Sequence, residues 1–209
     1  MKKITLLILL ITGQILMCSA QSKYEKGMSE ALQLWGDQKP MESIALFERI
    51  ASVEKENWLP KYYMGLIYTT KVLNGKDKKG ADILLEKAQK QVDLAMKCSA
   101  NNSEIYCLQG LINTAWITLD PMNNGQKLSA VTIGNYKKAI ALNENNPRAL
   151  YLLAEFQINM ARMFSQDTKS YYEMIKSSLK KFDNFKAPSA FYPNWGRNRA
   201  EQLLKSRDE

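Results

Sequence analysis

One spacing recurs along this chain at an interval near 45 residues and restricts it to one kind of architecture. Ser43-x3-Phe47-x2-Ile50, Ala88-x3-Val92-x2-Ala95, Thr132-x3-Tyr136-x2-Ala139 and Ser178-x3-Phe182-x2-Phe185 share it. Each has a small residue, a larger apolar or aromatic one four later, and an apolar one three beyond that. An i, i+4, i+7 pattern lies on one face of an α-helix, whereas a strand needs a period of two. The four starts lie 45, 44 and 46 residues apart, and a second small residue recurs upstream at Ala31, Gly65, Gly110 and Ala154. Self-similarity at such a period marks a stacked repeat.

Paired small residues have a physical task in a helical hairpin. Two antiparallel helices approach to about 8–10 Å only where the side chains between them allow it. A small residue on each helix marks the closest crossing, and the larger neighbours fill the space beside it. Every hairpin still has an uncovered apolar face, so the next one stacks on it.

On these residues the sequence resembles the tetratricopeptide repeat (TPR) family, which places a small residue on helix A and Ala, an aromatic and Ala along helix B. The best stretches are Ala88 to Leu111 and Tyr136 to Ala154. Asn146-Pro147 reads as an N-cap followed by Pro at the first helical position, and Asn102 or Ser103 serves the preceding repeat. The resemblance implies an all-α fold, a TPR-like α-solenoid of about four stacked hairpins closed by a C-terminal capping helix. Repeat 1 keeps the family's interval of 12 between its small residues, but the others show 23, 22 and 24. The surplus, about three helical turns, implies longer helices plus internal loops at 74–77, 120–125 and 165–168, which are turn-forming by composition.

The resulting map places repeats at about 24–56, 57–100, 101–145 and 146–186, in a single domain spanning 21–209. Its helices are 24–36, 40–54, 59–73, 80–98, 103–118, 127–142, 147–164 and 168–185. Residues 187–209 form an extended aromatic segment, then a last helix of about 195–206 capped by Asn194. That helix is polar outside and suits a lid on the array's end. The Pro193-Asn194-Trp195-Gly196 tail resembles that of small exported bacterial TPR-like proteins.

Residues 1–20 read as a secretory signal peptide: Lys2 and Lys3, an apolar run from Ile4, and small residues at Ser19 and Ala20. Cleavage after Ala20 implies a periplasmic or secreted protein; lipoprotein processing at Cys18 is disfavoured by Met17. Removal of the two lysines lowers the net charge from +8 to +6. The remaining lysines, among them Lys137, Lys138, Lys180 and Lys181, lack the interleaved aromatics of a base-stacking site. They read as solvated faces, with no nucleic-acid partner and at most peripheral membrane association.

The chain contains no His, which removes imidazole acid–base chemistry, the Ser-His-Asp arrangement and His-ligated metal sites. The reading is therefore of a non-enzyme with no catalytic residues, no cofactor and no metal. Cys98 and Cys107 leave two alternatives across a short turn: a disulfide, or two small buried thiols. By the resemblance, helix A residues line the concave groove: Leu32 and Trp35; Tyr62, Leu66 and Thr69; Cys107, Leu111 and Thr114; Tyr151, Glu155 and Ile158. The lining is apolar and aromatic, and Glu155 is an acid on an otherwise apolar helix. An open groove favours a protein or peptide partner in an envelope assembly module; the alternative occupant is a small apolar or anionic ligand. Tight curling would instead bury these residues as core.

Overall fold

The computed structural model describes residues 23–76 and 78–207. The signal segment lies outside these residues. Among the described residues all regular structure is helical, nine α-helices and no strand. The chain divides between Lys55 and Glu56 into two compact units.

The first unit is one hairpin, α1 (23–36) and α2 (Pro40–Val53). Its turn closes through Gln38, at a φ of 61°, and a hydrogen bond from the Lys39 amide to the Leu34 carbonyl at 2.9 Å. The first pair of small residues meets as the repeat requires: Ser43 Oγ donates to the Ala31 carbonyl at 2.7 Å. Met28, Ala31 and Phe47 are fully buried, and each large apolar side chain so buried contributes about 1.5–3 kcal/mol.

The second unit holds three hairpins: α3 (Trp58–Asn74) with α4 (Ala81–Cys98), α5 (Ser103–Leu119) with α6 (Pro121–Leu142), and α7 (Pro147–Met163) with α8 (Lys169–Asn184). α9 (Arg197–Lys205) packs on α8 and caps the array. Each hairpin packs on the next through α4 with α5 and α6 with α7, while α3, α5 and α7 also contact one another as an inner layer. This is a TPR-like α-solenoid. Helix starts follow from side-chain caps that satisfy otherwise unpaired amides. Asn57, Asn102 and Asn146 accept from the amides of Leu59, Glu104 and Arg148 at 3.0, 3.0 and 2.9 Å.

Two boundaries depart from the sequence map. Residues 120–125 are no loop, since α6 begins at Pro121 rather than 127. Asp120 caps it by accepting from the Asn123 amide at 3.2 Å, and Pro121 occupies the first turn, where a missing N–H costs nothing. At the other end, Asn194 does not cap the last helix, which starts at Arg197 behind Gly196. Gly196 has a φ of +105°, and a Cβ there would lie 2.6 Å from the Tyr151 ring. Backbone and ring together exclude any side chain at this position.

The predicted crossings are present. Ala88, Thr132 and Ser178 are completely buried, as is Ala154. Gly65 faces Ala88 across the first crossing of this unit. At Gly110 the Tyr136 ring lies directly against the backbone, inside the space a methyl group would need.

Residues 185–196 form a strap that runs back across the N-terminal halves of α3, α5 and α7. The Tyr63 hydroxyl donates to the Phe191 carbonyl at 2.9 Å, and the Trp195 indole donates to the Tyr62 hydroxyl at 2.9 Å. Beneath the strap lies a buried ion pair. Arg148 donates from Nε to Glu104 Oε2 at 2.7 Å and from Nη2 to Oε1 at 2.8 Å, and both side chains are fully removed from solvent. Asn146 Nδ2 adds a bond to Glu104 at 2.8 Å and another to Ser103 Oγ at 2.8 Å. Arg148 also stacks 4.5 Å over the Phe185 ring and reaches the Trp195 carbonyl at 3.5 Å. One guanidinium thus joins two repeats and the strap.

Gly110→Ala is expected to destabilise the protein by about 1–3 kcal/mol, because Tyr136 must move within a packed interior. Gly134→Ala, on α6 with open space around it, is expected to stabilise by about 0.5–1 kcal/mol. Urea melts of the two variants check the contrast, and equal effects would refute the assigned crossing. Glu104→Ala is expected to cost about 3–5 kcal/mol by leaving Arg148 charged and unpaired, and the double variant Glu104→Leu/Arg148→Met to recover most of that loss. A double variant no more stable than the single one would contradict this account.

Candidate functional site

The strap and the inner helices leave a chamber of about 680 Å³ in the second unit. It lies over the C-terminal parts of α3 and α5 and the first and middle turns of α7, bordered by Trp195 and Gly196 at the end of the strap. Thr70 and Leu73 of α3, Leu111 and Thr114 of α5, and Glu155 and Asn159 of α7 reach it. α9 closes the side opposite the inner helices, through Arg199 and Gln202.

Aromatic rings pack behind a lining that also carries Thr, Asn and Gln side chains, with Trp195 the half-buried one among them. Tyr151 and Trp195 meet edge to face at 6.3 Å and 88°, and Tyr136 and Phe156 pack at 6.4 Å. The Tyr136 hydroxyl shares a hydrogen bond with Thr114 Oγ1 at 3.1 Å. Burial pushes the Tyr136 and Tyr151 phenols well above their ordinary range, so both keep their protons. The lining's formal charges are Glu155 and Arg199. They are paired, with Arg199 Nε donating to Glu155 Oε1 at 2.7 Å; the carboxylate is mostly covered and the guanidinium half exposed.

The residues assigned to a groove by the repeat register fall into three groups. Leu111, Thr114, Tyr151 and Glu155 line the chamber. Tyr62, Leu66, Thr69, Cys107 and Ile158 are buried interior instead: Tyr62 lies under Trp195, and Thr69 donates to the Gly65 carbonyl of its own helix at 2.7 Å. Leu32 and Trp35 belong to the first unit, where both are half-buried. The inner face is therefore filled where the strap crosses it and hollow beyond. The disulfide alternative is corrected: no bond joins Cys98 and Cys107. Cys107 is completely buried and its sulfur receives Asn146 Nδ2 at 3.7 Å, so it faces the next repeat rather than α4. Burial also pushes the Cys107 thiol up and leaves it unreactive.

Sequence reasoning missed Tyr136, Phe156, Trp195, Arg199 and Gln202 as wall residues. Tyr136 and Phe156 carry no signal beyond the ordinary apolar face of a helix. Trp195 and Arg199 carry one, an aromatic segment followed by a basic helix, which in sequence indicates an end cap and nothing more. Helix α9 does cap α8, and through Arg199 it also closes the chamber.

No family model matches this sequence, and no curated protein matches it either. Among solved structures, the chain is similar to the HusA haemophore from Porphyromonas gingivalis, with a TM-score of 0.77 and 24% identity over 89% of this chain and 94% of that one. It also matches a thermophilic TPR protein from Thermus thermophilus, with a TM-score of 0.47 and 14% identity over 88% of this chain and 97% of that one. The likeness to the haemophore is one of fold.

Proposed function

We propose that this chain is a non-catalytic carrier of a planar, largely apolar anion, a haem or metal-free porphyrin, held in the chamber bounded by α3, α5, α7 and α9. The observation that carries this reading is the aromatic-walled space of about 680 Å³ with a guanidinium at its rim. Its size falls among the roughly 300–1,000 Å³ of small-molecule sites, which are apolar with a few placed polar groups. Trp195, half-buried at the chamber's edge, offers a ring face to a macrocycle, with the buried rings of Tyr136, Tyr151 and Phe156 packed behind the lining as rigid support. A propionate of the ligand would compete with Glu155 for Arg199. The fold likeness to the HusA haemophore supports the same ligand class.

The strap shifts the reading from a partner protein to a small ligand. A peptide lying along the inner helices would need the surface that residues 185–196 already occupy, including the Trp195 contact with Tyr62. The chamber needs no such displacement.

The grip would be on the macrocycle rather than on iron. The chain contains no His, and neither Cys nor Met lines the chamber. The two wall phenols hold their protons, which makes them poor metal ligands. A carrier role outside the cytoplasm fits the signal-like first 20 residues, and no described helix is long and apolar enough to cross a membrane.

Fluorescence and Soret titrations with haemin and metal-free protoporphyrin test this. Both are expected to bind at a ratio of one with Kd of about 1 μM or below. Arg199→Ala is expected to weaken both by about tenfold, the weight of one charge-assisted contact. Asn159→Trp, which fills the rim from an exposed position, is expected to abolish binding. Absence of saturable binding to either ligand, or equal binding by Asn159→Trp, would overturn the proposal.

A further inference from the structure

A second concavity, of about 480 Å³, lies where the α6–α7 turn meets the C-terminal end of α8 and the first residues of the strap. Nothing in the porphyrin reading uses it. Lys180 and Lys181 from α8 and Lys186 from the strap all line it. None of the three has a carboxylate within ion-pair distance among the described residues. The neighbouring acid of α8, Asp183, is held by Arg197 at 2.8 Å. Glu144 lies exposed in the α6–α7 turn and does not line the pocket. Three ammonium groups around one recess raise the local concentration of anions.

The rest of the lining is unlike a bare charged surface. Phe185 and Tyr192 supply an aromatic wall, their rings 6.1 Å apart and inclined by 36°. This wall is fixed from behind, since Arg148 stacks on Phe185 at 4.5 Å and Trp58 meets Tyr192 edge to face at 5.8 Å. Asn143, Asn145 and Asn184 add side-chain amides that both donate and accept. The Asn143 amide oxygen and the Asn184 amide nitrogen are engaged locally, with the Asn145 amide at 3.1 Å and the Lys180 carbonyl at 2.9 Å. Asn143 Nδ2 and Asn184 Oδ1 remain to meet a ligand.

We infer that this pocket binds an anionic sugar, a pyranose bearing a phosphate or carboxylate. The lysines take the anion as point charges, the amides take hydroxyls, and the rings cover the apolar face of the sugar. An inorganic anion would use the lysines alone, and a neutral sugar would forgo them.

Calorimetry at low salt on the full chain tests the assignment with glucose 1-phosphate, glucuronate, glucose and inorganic phosphate. Glucose 1-phosphate and glucuronate are expected to bind with Kd on the order of 0.1–1 mM, and phosphate and glucose about tenfold more weakly or not at all. Lys180→Ala/Lys181→Ala is expected to weaken the anionic sugars by about tenfold or more, with unchanged thermal stability and unchanged porphyrin binding. Tyr192→Leu is expected to remove the preference for glucose 1-phosphate over phosphate. A parallel sedimentation with vesicles containing a phosphorylated glycolipid separates membrane glycans from free sugars as the source, by whether the same lysine variant releases the protein. Phosphate binding as tight as glucose 1-phosphate, no saturable heat from either anionic sugar, or no effect of the lysine variant would overturn the inference.

Discussion

A guanidinium sealed from water can persist only beside its carboxylate, and the pairing of Arg148 with Glu104 sets the geometry of the second unit. Moving either charge alone into a protein interior costs several kcal/mol, so the two residues are locked to each other and to Asn146. Because Glu104 opens α5 and Arg148 opens α7, the pair fixes the spacing of consecutive repeats at their helix N-termini. Its remaining contacts, to the Phe185 ring and the Trp195 carbonyl, then decide where the chain must go after the last hairpin. The strap follows that path, and the chamber is what the strap leaves uncovered.

The chamber also explains the irregular repeat interval. In the first hairpin the small residues sit five positions from the end of α1 and three after the start of α2. In the other three hairpins both helices run on well past the crossing: α3 continues from Gly65 to Asn74, α5 from Gly110 to Leu119, and α7 from Ala154 to Met163. Thr70, Leu73, Thr114, Glu155 and Asn159, which face the space, all lie in these extensions. The surplus of about three turns per repeat, which separates this chain from the TPR pattern, is therefore the material of the site.

Most of the fold was legible because it rests on local rules. Crossings could be placed from the spacing of small residues, and starts from Asn-Pro and from Asn or Ser caps. The loop expected at 120–125 from its composition fails because Asp120-Pro121 is a cap and first-turn Pro like Asn146-Pro147, and the Asn-Asn-Gly that follows continues the helix. Asn123 and Asn124 are instead recruited locally, Asn124 to the Trp116 carbonyl at 2.8 Å. The site was legible only in part. Four of the eleven groove residues reach the chamber, and they were found from the repeat register. The outer wall is formed by residues 36 or more positions away in sequence, and no period along the chain encodes that return path. Glu155 stood out as an acid among apolar neighbours, yet its partner, Arg199, belongs to that distant segment.

Because the outer wall comes from residues that follow the three hairpins, synthesis finishes those hairpins before the container exists. A chain cut before residue 190 would lack Trp195 and Arg199, so proteolytic trimming removes the outer wall and leaves the inner face of the chamber bare.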